Sequence, residues 1–476
     1  MVKRIAASAL ALAITATCFA TEPAGEPEQP LTAFVGATLI DGNGGEPVTD
    51  ATVLIAGDRI LAAGASSDVA LPADVTTVAA NGKYIVPGFI DTHMHFFESG
   101  RIHMDKVVPM FDDEITEEAD IAWVKQRQPY TLSRYLCSGV TTALSVGGPL
   151  HIEFGAKEQA KQLELAPRVL VAGGPISNSG MEWKFDGEDA VFSADTEAEM
   201  REKIRFFASK GADAIKLGYL GPPMIDAEVT PQQYAPVLRA AADEAHKLGL
   251  SVLTHVMARE EVEAVVDTNL DAFAHIAFDE PISDESVQKI VDKGIFVAPT
   301  IAVFPKYTEV MEREYRMTPI EEQCADKEVI STYIDYPDSF MKKVAFKLSS
   351  WGLQFMLGDI REPLGDSVRR LQSAGAKFLI GSDGSHIGTP HGVAVHTEMQ
   401  MLEEEGITPA NLIQAATKNA AEALGKSDEF GTVEAGKVAD FLLLNKNPLE
   451  TIKNAQYIDT VVTQGKVIEQ SRLRTQ

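Results

Sequence analysis

The sequence predicts an α/β protein: a (β/α)8 TIM barrel with a small β-sandwich domain formed from both chain ends. Three observations carry that reading. Both ends of the 476-residue chain are rich in short strands and glycine turns. The middle alternates apolar strands with helical stretches, eight times over. The length suits one large barrel plus a smaller domain.

The N-terminal β segment spans 31–86 and contains "AFVGATLIDGNGG", "ATVLIAGDRILAAG" and "VTTVAANGKYIV". The C-terminal segment, 426–476, contains "GTVEAGKVADFLLLNKNP" and "AQYIDTVVTQGKVIEQ". The barrel is placed at 87–425. Its candidate strands are 84–95, 139–146, 168–173, 212–218, 251–256, 271–276, 294–300 and 377–383. Segments such as "TEAEMREKIRFFASKG" and "PQQYAPVLRAAADEAHKLG" supply the helices between them. The connection from the seventh strand to the eighth runs for about 75 residues, a length that marks a lid or binding element.

Residues 1–20 read as a signal peptide. Lys3 and Arg4 precede an apolar run, Ile5 to Ile14, too short to span a bilayer. Cleavage is expected after Ala20, with 21–30 as a Glu- and Pro-rich linker, so the mature chain is expected in the periplasm or outside the cell. No later stretch is long and apolar enough for a membrane helix. The formal charge of -27 disfavours nucleic acid and anionic membranes as partners. A small-molecule substrate is the expected partner, and a homo-oligomer is compatible with the chain. Cys137 and Cys324 form no Cys-type zinc pattern; one bridge between them stays open in an oxidising compartment.

"PGFIDTHMH" ends with His93 and His95 two residues apart. At that spacing on a strand, both imidazoles face the same side. Barrel enzymes carry their chemistry at the C-terminal ends of the strands. There the chain places Lys216 in "GADAIKLGY", His255 in "LSVLTHV", His275 in "DAFAHIAF" and Asp383 in "AKFLIGSDGS". Alternation groups Lys216 with Ala212 and Ala214, away from Ile215 and Leu217. It groups Asp383 with Leu379 and Gly381, and His275 with Phe273. Taken singly, His255 or His275 reads as a hydrogen-bonded core histidine, and Asp383 as a turn cap. Six metal-compatible side chains at the ends of five strands read differently. Burial favours the neutral amine of Lys216, which can add carbon dioxide. The resulting carbamate is an anion able to bridge two cations about 3.5–4 Å apart.

These residues resemble those of the amidohydrolase superfamily, across nearly all of the mature chain. "PGFIDTHMH" and "GTVEAGKVADFLLLNKNPL" are typical of the group. "GADAIKLGY" and "FLIGSDGSHIGTPHG" are similar to the imidazolonepropionase-like branch that includes Xaa-Pro dipeptidases. The resemblance implies His93, His95 and Asp383 on the more buried of two divalent ions. It implies His255 and His275 on the more exposed ion, with carboxylated Lys216 between them. Zinc is expected, with manganese or cobalt as substitutes. Lys216 argues against imidazolonepropionase activity itself, which runs on a single metal.

The implied reaction is cleavage of a C–N amide bond by metal-activated hydroxide, with Asp383 carrying the proton. A dipeptide or N-acyl amino acid with a free carboxylate is the expected substrate. A cyclic amidase, lactonase or deaminase is the alternative on the same centre, and a non-catalytic metal-binding protein the remote one. Tyr219, His151, Arg259, His386 and His391 are the candidates for holding the carboxylate, with Lys306 and Tyr307 on the long connection.

Overall fold

The computed structural model describes residues 30–105, 116–180, 183–221, 229–335, 340–357 and 360–474. The expected signal peptide, and the linker up to residue 29, lie outside the described residues. Among the described residues no helix is long and apolar enough to cross a membrane.

Eight parallel strands form the barrel. In order they are Phe89–Met94, Val140–Ser145, Arg168–Val171, Ala214–Gly218, Ser251–His255, Ala272–Ala274, Phe296–Ala298 and Lys377–Phe378. Strand three meets strand four through Asp213 N–H, which donates to the Val171 carbonyl at 2.8 Å. The ring closes where Thr92 N–H donates to Ile380 O and Asp383 N–H donates to His93 O. Period-two alternation sorts the side chains. Ile90, Leu144, Leu170, Ala214, Leu253, Ala272, Ala274 and Leu379 fill the barrel interior. Phe89, Ala143, Val169, Ile215, Leu217, Val252, Phe273 and Ile380 pack outward under the helices.

The chain ends together build the expected β domain, in which eight strands from both termini are linked. The N-terminal strand Leu31–Leu39 pairs with Val48–Ala56, Thr76–Ala79 and Tyr84–Pro87. Tyr84–Pro87 pairs antiparallel with Phe441–Leu444 from the other end. A bridge between Arg59 and Val438 brings distant parts of the sheet together over one core, which includes Phe34, Val53, Ile60, Phe441 and Val462. One residue, Gly88, separates this sheet from the first barrel strand. A Cβ there would lie 2.2 Å from Thr141 Oγ1, so the close approach requires glycine.

The connection after strand seven is helical. It holds Val303–Met311, Pro319–Cys324, Lys327–Ile334, Phe340–Leu357 and Arg361–Ser373. Thr318 and Glu321 form a capping box that starts the second of these helices. A disulfide and side-chain contacts tie the segment to the helix Glu117–Cys137. Cys324 is disulfide-bonded to Cys137, and Arg127 forms a bidentate pair with Asp326 at 2.8 and 3.0 Å.

Candidate metal centre

His93, His95, Lys216, His255, His275 and Asp383 converge at the C-terminal end of the barrel. One nitrogen from each of His93 and His95 and one oxygen of Asp383 lie within 4.8 Å of one another. Asp383 Oδ1 is 3.4 Å from His93 Nε2 and 3.3 Å from His95 Nε2. The His275 ring stands 4.6 Å from His93 and 4.7 Å from His255, centroid to centroid. Lys216 Nζ is 3.4 Å from His93 Nε2 and only 3% exposed.

Local backbone geometry aims these groups. Asp383 has φ 46° and His275 φ 72°, both in the left-handed region. At His275 this breaks the strand's alternation. Phe273 packs outward with the helix layer while His275 enters the barrel, so the two do not share a face as alternation predicts. Non-glycine residues held at positive φ concentrate at functional sites. Gly381 gives His93 room, because a Cβ there would come within 2.7 Å of His93 Cβ.

Neighbouring groups orient the imidazoles. His95 Nδ1 lies 2.9 Å from the Gly147 carbonyl, which can only accept. That bond places a proton on Nδ1 and turns Nε2 toward Asp383. His275 Nδ1 is 2.6 Å from Thr300 Oγ1. Thr300, Gly147 and Glu98 were not singled out from sequence. Only the Pro299-Thr300 step at the end of strand seven and the Gly147-Gly148 pair hinted at them.

Electrostatics follow burial. Desolvation lowers Lys216 to about 7 against the pull of Asp383. It lowers His255 to about 3, with Lys216 adding to the effect. His95 goes the other way. Burial lowers it, but Asp383 and Glu98 outweigh that and hold it up at about 9. Desolvation raises Asp91 to about 7, although its carboxylate accepts from the Ser382 backbone N–H and hydroxyl.

Donors without partners mark the centre. His93 Nδ1 and His255 Nε2 are buried and make no hydrogen bond. Buried polar atoms are normally paired. An imidazole and carboxylate donor set suits zinc and its neighbours in the first transition row.

A cavity of about 730 Å³ opens over these residues. Phe97, Trp183 and Phe185 line one wall, with Phe97 edge-on to both neighbours at 5.2 and 5.3 Å. Met257, Phe278 and Phe304 also line it. Tyr307, from the long connection, lines the cavity as well. Lys306 instead pairs with Glu309.

Of the five candidates for holding a carboxylate, His386 alone lines the cavity, and it stands between Asp383 and Glu98 at 3.5 and 3.3 Å. The other four are committed elsewhere. Tyr219 donates its hydroxyl to Val229 O at 2.8 Å. His151 pairs with Asp186 and Glu188. Arg259 pairs with Glu263 and Glu280. His391 is buried between the Tyr135 hydroxyl and the Glu98 carbonyl. The sequence placed these four near the mouth by loop position; the partners of His151 and His391 are remote in sequence, whereas Glu263 is one helical turn from Arg259 and Val229 is ten residues from Tyr219.

The model of the amidohydrolase family matches residues 84–468. The chain belongs to the amidohydrolase family. It is 24% identical over 428 residues to imidazolonepropionase of Geobacillus sp. (strain WCH70), covering 84% of each chain. Its fold is similar to that of a Xaa-Pro dipeptidase solved with bound methionine, at TM-score 0.70 and 20% identity, covering 92% of this chain and 100% of the other. It is equally similar to phenylurea hydrolase B, at TM-score 0.70 and 23% identity, covering 94% and 98%. The family and fold expected from the sequence therefore hold: an amidohydrolase barrel joined to a sheet drawn from both chain ends.

Proposed function

We propose that this amidohydrolase is a binuclear metal-dependent enzyme that hydrolyses a C–N bond of the amide type. One observation carries the reading. Six potential ligands from five strands converge beneath one cavity, and two buried imidazole nitrogens among them, His93 Nδ1 and His255 Nε2, make no hydrogen bond. His93, His95 and Asp383 would hold one divalent ion, His255 and His275 the second. Bound divalent ions supply the Lewis acidity that activates water and polarises a carbonyl.

The protein's own groups do the rest. As an ammonium, Lys216, 3.4 Å from His93, would repel divalent ions held by these residues. As a carbamate it becomes an anion suited to two cations. Asp383, whose Oδ1 faces His93, His95 and His386, holds the proton released by water and returns it to the leaving nitrogen. Gly147 and Thr300 fix the rings of His95 and His275. The test is elemental analysis beside turnover of an amide library. Two ions per chain with hydrolysis support the reading. One ion at saturation with full activity overturns the binuclear centre.

We also infer export. The Cys137–Cys324 disulfide supports it, because such bonds persist in oxidising compartments. Cell fractionation tests it, and a purely cytoplasmic, reduced pool contradicts it.

A further inference from the structure

We propose that the substrate is an uncharged amide, carbamate or urea with aromatic or bulky aliphatic substituents, and that a free carboxylate on it is a handicap. This rests on the hydrolase reading above and narrows it.

Two observations on the cavity converge. Its lining holds two aromatic clusters: Phe97 packs edge-on against Trp183 and Phe185, and Phe278 stands 5.5 Å from Phe304. Such walls bind rings and bulky chains by desolvation and offer nothing to a hydrated anion.

The charges around the walls are of the wrong sign for a carboxylate. Beyond the centre itself, Glu98, Asp105 and Glu117 line the cavity, together with Asp120, whose charge Arg101 offsets. Among the described residues that line it, Lys216 is the only lysine or arginine, and the centre consumes it. Arg101 reaches Asp120 at 3.3 Å but does not line the cavity, so its charge is spent on that acid. A bound carboxylate needs charge-assisted donors. Of the two histidines outside the centre that line the cavity, His386 is shared between Asp383 and Glu98, and His103 Nε2 lies 3.0 Å from Arg101 Nη2. A substrate anion in that wall would meet like charge at low dielectric.

The experiment uses zinc-loaded full-length protein and two matched pairs. N-Benzoylphenylalanine amide is compared with N-benzoylphenylalanine for hydrolysis of the benzoyl amide bond. Benzanilide is compared with 4-carboxybenzanilide for binding by calorimetry. The neutral member should have a kcat/KM and a binding constant at least about tenfold higher, about 1.4 kcal/mol. Equal or better handling of the carboxylate in either measurement overturns the proposal. Tighter binding of the neutral compound without cleavage of any member would support the substrate class while counting against the hydrolase reading.

Discussion

His95 Nδ1 and the Gly147 carbonyl lie 2.9 Å apart, and this contact fixes which nitrogen faces Asp383. Gly147 cannot easily take a side chain. A Cβ there would stand 2.7 Å from Pro175 Cδ, so the peptide would have to shift. Gly147→Ala should therefore lower metal affinity and kcat/KM by about 10–100-fold, the usual cost of losing a group that orients a ligand. Competition with a chelating dye measures the first and a steady-state assay the second. Unchanged affinity in a folded variant would show that the contact does not orient the ligand.

Lys216→Ala removes the proposed bridge. The variant should bind at most one ion tightly and lose at least about 100-fold in rate. Reconstitution of wild-type apoprotein should quicken with added bicarbonate. Indifference to bicarbonate, with two ions bound, would argue against the carbamate.

Asp383→Asn tests the proton carrier. Asparagine tolerates the left-handed backbone that Asp383 adopts at φ 46°, so the fold should survive. The rate should fall by roughly 10²–10⁴-fold. A variant with near-normal turnover would require another base.

Tyr219→Phe should leave KM unchanged. The hydroxyl is spent on Val229 O, so its loss should cost about 1 kcal/mol of stability and no substrate affinity. Urea denaturation and initial-rate kinetics separate the two effects, and a raised KM would return Tyr219 to the substrate site.

Glu398 should make the metal-free protein less stable as pH rises. Desolvation holds its carboxyl up at about 8, although it accepts from Ile301 and Ala302 N–H. The unfolded chain loses that proton near the usual 4.5. Between these values the folded state binds more protons, so the stability contribution is present below about 4.5 and falls away toward 8. Glu398→Gln should flatten that slope in denaturation series at pH 5, 6.5 and 8. An unchanged slope would locate the effect in other buried acids, such as Glu153 or Glu261.

The gathering of His93, Lys216 and Asp383 was legible because period-two alternation and strand ends are local properties of sequence. Ala214 and Leu379 indeed fill the interior while Ile215 and Ile380 face the helices. His275 shows the limit. Its inward turn comes from one left-handed residue, which no hydrophobic pattern encodes. The aromatic walls were illegible for another reason. Phe97, Phe185, Phe278 and Phe304 come from separate loops and helices that only the closed barrel brings together. The same holds for the partners that claim His151 and His391.

The sheet shared by the two chain ends imposes an order of assembly. Tyr84–Pro87 waits for Phe441–Leu444, made some 350 residues later during synthesis. Until then the nascent chain presents an open strand edge leading straight into the first barrel strand and its histidines. Completion of the sheet is thus a late kinetic step. A chain stopped short of Phe441 would expose that edge to aggregation, however well its barrel residues were chosen.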